Sequence, residues 1–441
     1  MKTNTLPHSA YFAIAVPFII STVTQPLLGA VDTAVVGHLE SPVYIGGVAV
    51  GTVILNTLYW LLGFFRVSTT SQSSIALGRG SREEIIASLV RPFILATCMG
   101  LFFITMQGPI WAGAQYLLGP EKEVAEQAHI YFSILIWGAP LVLLNYTTIG
   151  WLMGQAKVKA TLATQVTGNV INILLDLLFV VGFGYGVAGV AVATLIAQFT
   201  TFALGLFFVY RAHPANVREL KAACVISKKD LQTIVSANSD LLLRTVCLLI
   251  MFNLMTKMGA SLGGTVLATN AVAMQITFIA SYMFDGIANA SSVFAGKSVG
   301  ERNAHLLKLT FRRNTEWTIA VMLLLAGVIA FMGNGVGSIF TDIPEILEQF
   351  ASIHYWTVLF PIASGFGLTL YGIFTGSGTT RPVRNSTFKA LISYLISLAI
   401  FVPLFDNTGL WLSFIIFYIG RGAFLLPYTK QVYAKIQENA A

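Results

Sequence analysis

Long apolar runs separated by short polar segments recur along the whole 441-residue chain. Twelve runs are long enough to cross the hydrocarbon core of a bilayer, which takes about 20 residues of helix. They cover approximately residues 10–36, 45–76, 88–112, 126–152, 160–183, 186–210, 231–257, 267–294, 306–334, 349–376, 383–404 and 408–430. The pattern predicts an all-α polytopic membrane protein with twelve transmembrane helices.

Composition excludes the soluble classes. Hydrophobic residues make up 56% of the chain and charged residues 10%, whereas soluble domains carry about 25% charged residues. The three cysteines, Cys98, Cys224 and Cys247, have neither metal-site nor disulfide spacing. The net charge of +7 does not indicate a nucleic-acid partner, because the basic residues flank apolar runs.

Motifs of catalysis and of ATP-driven transport are absent from the sequence. There is no GxxxxGK[ST] nucleotide-binding loop, no HExxH pair and no obvious nucleophile site. We therefore expect a protein that is not an enzyme and that has no cofactor and no metal centre. The first apolar run lacks a signal-peptide cleavage pattern, so we expect it to remain as a helix.

Lys and Arg are concentrated in alternate loops, as the positive-inside rule requires. With the N-terminus inside, the outer loops hold only Lys122 and Lys257 and are rich in acids. The inner loops hold Arg79, Arg82, Arg91, Lys157, Lys159, Arg211, Arg218, Lys221, Lys228, Lys229, Lys297, Arg302, Lys308, Arg312, Arg313, Arg381, Arg384, Lys389, Lys430 and Lys435. This distribution predicts a protein of the inner membrane with both termini in the cytoplasm.

The chain also carries an internal repeat. GWLMGQAKVK at Gly150–Lys159 resembles GIFTGSGTTR at Gly372–Arg381, and the offset between these two segments also relates Gly78 to Gly300. A basic polar segment, residues 212–230, lies between the halves. We predict two pseudo-symmetric six-helix bundles, residues 1–211 and 231–441, joined by this cytoplasmic linker. Duplicated halves are common in transporters, whose substrate sites lie where the repeats meet.

Asp32 is an acid inside the first apolar run. An ionised carboxylate in hydrocarbon costs about 2.5–3.5 kcal/mol, so such groups are usually protonated, paired or turned toward a water-filled cavity. A carboxyl that alternates between neutral and charged forms can couple transport to protons. The alternative is an acid at the helix end, near the membrane interface.

The fifth run carries a second set of polar residues. Asn172 and Asp176 are four residues apart and share a helical face, and Asn169 lies near that face. These groups need partners inside the bundle, and Asp32 is a candidate partner. The arrangement favours a coupling site; the alternative is a static polar clamp between helices.

Other polar residues in the runs allow several interpretations. Arg66 either snorkels to the interface or opposes an acid in the cavity. Asp240 and Arg244 are four apart, which predicts an intrahelical pair. Asp285 and Glu316 are single acids and remain candidates. Pro17 and Pro26 lie in the first run, where they indicate either a hinge or a fixed kink.

Four segments resemble the multidrug and toxic compound extrusion (MATE) family, in its DinF-like branch. They are PLLGAVDTAVVGHLESPVYIGGVAVG, RVSTTSQSSIALGRG, GWLMGQAKVKA and NVINILLDLLFVVGFGYGVAGVAVAT. The resemblance spans essentially the whole chain. It implies an antiporter that lets H⁺ or Na⁺ enter while a small drug-like compound, often an organic cation, leaves. We also expect a monomer whose partners are such compounds and the membrane lipids.

The resemblance also implies roles for individual residues. The coupling site of the DinF-like branch lies in the N-terminal bundle, where its residues match Asp32, Asn172, Asp176 and Thr194. The helix-bending proline matches Pro17. The family's fourth-helix Asn corresponds to Asn145 only loosely, because the spacing to the following glycines differs.

The tenth run contains no acid, which argues against the Na⁺ site that the NorM-like branch has in its C-terminal bundle. Coupling by H⁺ is therefore favoured. Na⁺ at Asp32 and Asp176 stays an alternative, since their oxygens could also hold a hard cation.

Two other functions remain open from the sequence. Related two-bundle folds include lipid-linked oligosaccharide flippases, which would be expected to line the cleft with several basic residues. Arg66 and Arg244 are the only Lys or Arg placed well within the first eleven runs, and Arg421 lies in the twelfth. A membrane receptor or structural protein without transport activity is the second.

Overall fold

The computed structural model describes residues 5–36, 42–225 and 228–438, with side chains for 5–22, 43–225, 232 and 234–436. The helices are α1 (His8–Val36), α2 (Pro42–Leu61), α3 (Phe64–Arg79), α4 (Arg82–Thr105), α5 (Gln107–Leu118), α6 (Lys122–Leu135), α7 (Ala139–Gly154), α8 (Val158–Asp176), α9 (Gly186–Ala212), α10 (Val217–Ala223), α11 (Lys228–Ser261), α12 (Gly264–Gly300), α13 (Ala304–Met332), α14 (Pro344–Gly376), α15 (Thr380–Ala423) and α16 (Thr429–Glu438). A π-helical segment, Leu177–Gly182, follows α8, and 3₁₀ turns cover Ile136–Gly138, Gly333–Ile339 and Leu426–Tyr428. No strand occurs in the described ranges.

Ten helical stretches among the described residues are long and apolar enough to cross a membrane. The last of them, Thr380–Ile436, contains a break at Asp406, whose φ of 46° and ψ of −124° are not helical. Dividing it there and adding α1 gives twelve, which agrees with the predicted number. The prediction of an all-α polytopic membrane protein is confirmed.

Contacts divide the chain into two compact units. One, here the N-unit, is Val23–Gln232; the other, the C-unit, combines Thr233–Ala441 with Met1–Thr22. In the N-unit α7 packs against α3 and α4, α2 against α6, and α8 against α9. In the C-unit α14 packs against α12, α13 and α15. The predicted bundles, 1–211 and 231–441, differ from these units chiefly in where they place the first half of α1.

The repeated glycines allow equivalent helix contacts in both units. A Cβ added to Gly150 would lie 2.5 Å from the carbonyl oxygen of Arg66, and one added to Gly372 would lie 2.0 Å from that of Ala288. Arg66 and Ala288 are themselves separated by the offset that separates the two glycines. Small residues let membrane helices approach this closely. One turn later Gly154 lies against Thr70, and Gly376 lies against Ser292.

The first half of α1 packs along α12 in the C-unit. The Tyr11 hydroxyl lies 2.6 Å from Ser291 Oγ, and Thr22 Oγ1 donates to the carbonyl of Tyr282 at 2.9 Å. Between these bonds the helices approach so closely that a Cβ on Gly286 would lie 2.3 Å from Ile19 Cγ1. Because a glycine occupies that position, α1 can stay in contact with α12 over three turns.

Candidate functional site

Asn172 and Asp176 form a buried polar pair on α8. Asn172 Nδ2 donates to Asp176 Oδ2 at 2.9 Å. Asn172 is 4% exposed and Asp176 is fully buried. Since the residues are one helical turn apart, α8 alone fixes their geometry. An acid buried in a membrane-length helix is a candidate functional site.

Directly after Asp176 the helix widens. Leu177–Gly182 is π-helical, and the chain then turns through Gly184 and Gly186, both with positive φ. Short π-helical segments are frequent at functional sites. A cavity of about 530 Å³ opens beside this segment, lined by Tyr44, Gln127, Ile130, Val180, Val181 and residues 184–188. Val180 follows Asp176 by four residues, so the acid lies about one turn inward from the cavity lining.

Polar residues continue along α8 on the other side of the pair. Gln165, Asn169, Asn172 and Asp176 have spacings of four, three and four residues, which place them in one stripe. Gln165 and Asn169 are half-buried, and Gln165 Oε1 is buried without a hydrogen-bond partner. The stripe is about 16 Å long, since a helix rises about 1.5 Å per residue. It therefore covers about half of the hydrocarbon thickness.

Thr194 and Asn145 do not join this pair. The Thr194 hydroxyl donates to the carbonyl of Val190 in its own helix at 3.0 Å. Asn145 Nδ2 donates to the carbonyl and to Oε1 of Gln198, at 3.0 and 2.9 Å. Asn145 is 4% exposed, and its Oδ1 has no hydrogen-bond partner. Asn145 thus connects α7 to α9 through a residue, Gln198, that the sequence analysis missed.

Arg66, in the first turn of α3, is half-buried. Its charge acts on the phenol of Tyr146, on α7. Within the described part of the N-unit it forms no ion pair. Of the two predicted roles, counter-ion to a buried acid has no support among these residues.

Asp32 and the hinge prolines lie on α1. The backbone of Asp32 is helical, but its side chain and that of Pro26 are outside the described residues. Pro17 is half-buried and lies in the part of α1 that packs on α12, between Tyr11 and Thr22. A proline at this place leaves the carbonyl of Ala13 without its usual helical donor.

Two acids of the C-unit have partners that the sequence analysis did not assign. Asp240 accepts from Arg384 Nη1 at 2.7 Å and from Thr380 Oγ1 at 2.8 Å. The predicted Asp240–Arg244 pair is therefore wrong, because Asp240 turns to α15 instead. Glu316 forms ion pairs within α13, accepting from Arg312 Nε at 2.8 Å and from Arg313 Nη1 at 2.6 Å.

Both halves of the chain match one family. A family model described as MatE matches residues 17–178 and 241–401. The chain belongs to the MatE family. The starts of the two matched segments are separated by nearly the same offset as the repeated glycines. The expected family is confirmed.

Curated relatives and solved structures agree with this MatE assignment. The chain is 33% identical over 425 residues to DNA damage-inducible protein F of Escherichia coli (strain K12), covering 96% of this chain and 92% of that protein. It is 25% identical over 423 residues to multidrug resistance protein MdtK of Klebsiella pneumoniae subsp. pneumoniae, covering 92% and 91%. The crystal structure of MATE in the straight conformation superposes with a TM-score of 0.89 at 22% identity, covering 98% of both chains. The expected DinF-like branch is confirmed, and the protein is a multi-pass membrane protein of a transporter family.

The sequence analysis of this MatE chain missed two polar residues, Gln198 and Gln165, although their helical spacing was a usable signal. Gln198 follows Thr194 by four residues in an otherwise apolar run, and Gln165 precedes Asn169 by four. In both cases the helical spacing to a residue already singled out was the available signal. What spacing could not show is that Asn145, on a different helix, would be the partner of Gln198.

Proposed function

We propose that this MatE protein is a secondary active multidrug exporter that works by alternating access. Inward movement of a cation, H⁺ in preference to Na⁺, drives the outward movement of drug-like, often cationic compounds. The observation that carries the proposal is the buried Asn172–Asp176 pair, beside a π-helical segment and a cavity. The multidrug resistance protein among the relatives supports the substrate class.

In the proposed mechanism Asp32 is the coupling carboxyl and Asn172, Asp176 and Thr194 are its polar neighbours. Substrate is held while Asp32 is ionised. A proton entering from outside neutralises Asp32, and the hydrogen bonds of the neighbouring side chains rearrange. Asn172 can take part because its amide offers both donors and an acceptor. Helix α1 then bends near Pro17 and the substrate leaves.

Bending near Pro17 has a structural requirement. Thr22, five residues after Pro17, is bonded to Tyr282 on α12 at 2.9 Å, and Ile19 contacts Gly286. These contacts hold the segment that follows the proline. A bend at Pro17 would therefore break them, whereas a bend at Pro26 would leave them intact.

The test is ethidium efflux from drug-sensitive cells, with either a proton or a sodium gradient imposed. We expect efflux to follow the proton gradient, and Asp32→Asn and Asp176→Asn to abolish it at matched expression. Asp342→Asn is the matched control, since Asp342 is an exposed acid in the loop before α14. Normal efflux by Asp32→Asn would reject the proposed coupling group. Efflux that follows only the sodium gradient would mean that the coupling ion at Asp32 and Asp176 is Na⁺ instead of H⁺.

We also propose an inner-membrane location with both termini in the cytoplasm. The support is the alternation of basic residues between loops. Cys224, exposed at the end of α10, then faces the cytoplasm. In a Cys98→Ser background, a membrane-impermeant maleimide should label Cys224 in inverted vesicles and not in spheroplasts. Labelling of Cys224 in spheroplasts but not in inverted vesicles would contradict the proposed orientation.

A flippase for a lipid-linked oligosaccharide is the second candidate. The observation that favours it is the pair of arginines, Arg244 and Arg421, in the membrane-spanning part of the C-unit. A flippase would show no dye efflux under either gradient, so the same assay separates the two functions.

A further inference from the structure

Two arginines of the C-unit lie against tyrosine rings rather than carboxylates. The Arg244 guanidinium carbon is 4.2 Å from the ring centroid of Tyr371, and that of Arg421 is 5.5 Å from that of Tyr418. Arg421 is 4% exposed, and the Nε of Arg244 is buried without a hydrogen-bond partner. Within the described ranges, neither guanidinium forms an ion pair. Both groups keep donors available for a ligand.

The charges around these arginines do not balance. Asp240 is neutralised by Arg384 at 2.7 Å, so it is not available to them. Arg244 and Arg421 act on each other, and the acid that acts on Arg421 is Asp285. All three groups also act on the Tyr418 phenol. Two positive charges therefore face one negative charge among the described residues of this cluster.

An excess positive charge inside a membrane protein requires a counter-charge. Arginine does not lose its proton in proteins, and buried charges without a partner are strongly unfavourable. Stacking on tyrosine supplies part of the stabilisation but no negative charge. A bound anion would supply it, and a guanidinium can hold the two oxygens of a carboxylate, sulfonate or phosphate with two parallel hydrogen bonds.

We propose that the C-unit binds the monoanionic headgroup of an amphipathic compound between Arg244 and Arg421. The cluster lies on membrane-spanning helices, so the rest of the ligand is apolar. Binding itself is independent of export; that such a compound is also a transported substrate rests on the proposed function. The site would extend the substrate range beyond organic cations, which two arginines would repel.

The test uses three probes with one fluorophore and three charges. They are 11-(dansylamino)undecanoate, its methyl ester and a dansyl-alkylammonium of equal length. Binding to the full chain in nanodiscs of neutral phosphatidylcholine is measured by energy transfer from tryptophan, with empty nanodiscs as the partitioning control. We expect the carboxylate to bind about tenfold more tightly than the ester, and the ammonium to bind more weakly than either.

Substitutions in this cluster should change the affinity for the carboxylate probe in opposite directions. A merely structural role of the arginines would not produce this result. Arg244→Gln and Arg421→Gln should remove the preference for the carboxylate over the ester, whereas the Lys variants should retain part of it. Asp285→Asn removes the opposing charge and should tighten carboxylate binding several-fold. Arg312→Gln, at an exposed arginine of the same unit, is the control. If Arg421→Gln does not fold, Arg244→Gln and Asp285→Asn still decide the question.

Equal binding of carboxylate and ester by the wild-type chain would overturn the proposal. So would a carboxylate preference that survives Arg244→Gln, or weaker carboxylate binding in Asp285→Asn. Competition with phosphatidylglycerol distinguishes two sources of the bound anion, a lipid headgroup and a free amphipathic compound. Competition by this lipid, together with its retention on the purified protein, assigns the site to a lipid headgroup, while carboxylate binding without such competition assigns it to a free amphipathic anion. Because binding needs no gradient, failure of ethidium efflux leaves this result interpretable.

Discussion

Ala156 and Gly378 occupy equivalent positions in the two halves of the chain and adopt the same backbone conformation, with φ values of 53° and 71°. Each ends a helix in the same way. Lys157 N donates to the Leu152 carbonyl at 2.9 Å, and Thr379 N donates to the equivalent Phe374 carbonyl at 2.9 Å. This is the helix ending in which the residue after the cap is usually glycine. The two halves therefore share a positive φ at this position, but only the second half has glycine there.

A positive φ is shared at two further pairs of equivalent positions. Arg302 has a φ of 54° and Asp406 a φ of 46°, and their counterparts in the first half, at the offset of the glycine repeat, are Gly80, with 66°, and Gly184, with 69°. Every non-glycine residue with positive φ in the described ranges thus has a glycine as its counterpart in the other half. The positive φ is therefore common to both copies at each place, although only one copy has the residue that adopts it without strain.

Ala156→Gly should stabilise the protein. A positive φ costs an L-residue about 1–2 kcal/mol, and the greater flexibility of glycine in the unfolded chain offsets part of that gain. We expect a net gain of about 0.5–1 kcal/mol, seen as a higher thermal unfolding midpoint in detergent. Gly80→Ala should lower the midpoint, because a Cβ there meets no atom and only backbone strain changes. Gly113→Ala, also in open space but in helical conformation, is the control. Equal shifts for Gly80→Ala and Gly113→Ala would contradict the explanation.

Architecture followed from the sequence because a membrane leaves the chain few choices. Backbone groups in hydrocarbon must be bonded within the segment, so an apolar run of sufficient length is a helix. The shared offset of Gly150 and Gly154 with Gly372 and Gly376 likewise identified the duplication, since those glycines make equivalent helix contacts. Asn172 and Asp176 could be placed together because both are on one helix, where spacing sets geometry.

Contacts between helices were the part that spacing could not supply. Asp240 and Arg384 are 144 residues apart, and nothing in either run indicates the other. The first half of α1 was assigned to the N-terminal bundle by continuity of the chain, whereas Tyr11 and Thr22 are bonded to α12. Hydropathy predicts that a segment is buried, but the shapes that decide its neighbour, such as Gly286 against Ile19, depend on the folded pair.

Arg384→Gln should destabilise the C-unit. Asp240 has a side chain only 4% exposed, and Arg384 provides its counter-charge at 2.7 Å. Removing one partner of a fully buried pair typically costs about 3–5 kcal/mol, and we expect a smaller loss here because the Arg384 side chain is 35% exposed. The double variant Asp240→Asn/Arg384→Gln should recover most of this loss, because no charge is left alone. Chemical unfolding of the two single variants and the double variant measures the coupling. Additive effects would show that the pair contributes little.

Attachment of α10 to α4 should depend on pH. The hydrogen bond from Arg82 Nε, at 2.6 Å, is the main cause that lowers the pKa of Glu219, and the backbone N–H of Asn216, at 2.9 Å, is the next. Because the folded pKa is lowered, the stabilisation is present above the usual value of 4.5 and is lost as pH falls below it.

Hydrogen exchange of the α10 amides, corrected for the intrinsic rate, measures this dependence between about pH 6 and about pH 3.5. Protection of Val217–Ala223 should decrease toward the acid end in the wild-type chain. In Glu219→Gln it should be lower throughout and almost independent of pH. A pH dependence that persists in Glu219→Gln would assign the effect to another group.

Gly286→Ala should loosen the first half of α1. The new Cβ would lie 2.3 Å from Ile19 Cγ1 and 2.7 Å from the backbone nitrogen of Ile19, and a backbone atom cannot move aside by changing a rotamer. Overpacking of this kind costs about 1–3 kcal/mol, so the unfolding midpoint should fall. Gly327→Ala, where a Cβ meets no atom, is the matched control. Thr22→Val should act in the same direction but more weakly, because it removes the bond to Tyr282 without adding bulk. If Gly286→Ala is as stable as Gly327→Ala, the close contact between α1 and α12 is not a feature of the protein in its membrane, and bending at Pro17 no longer requires that contact to break.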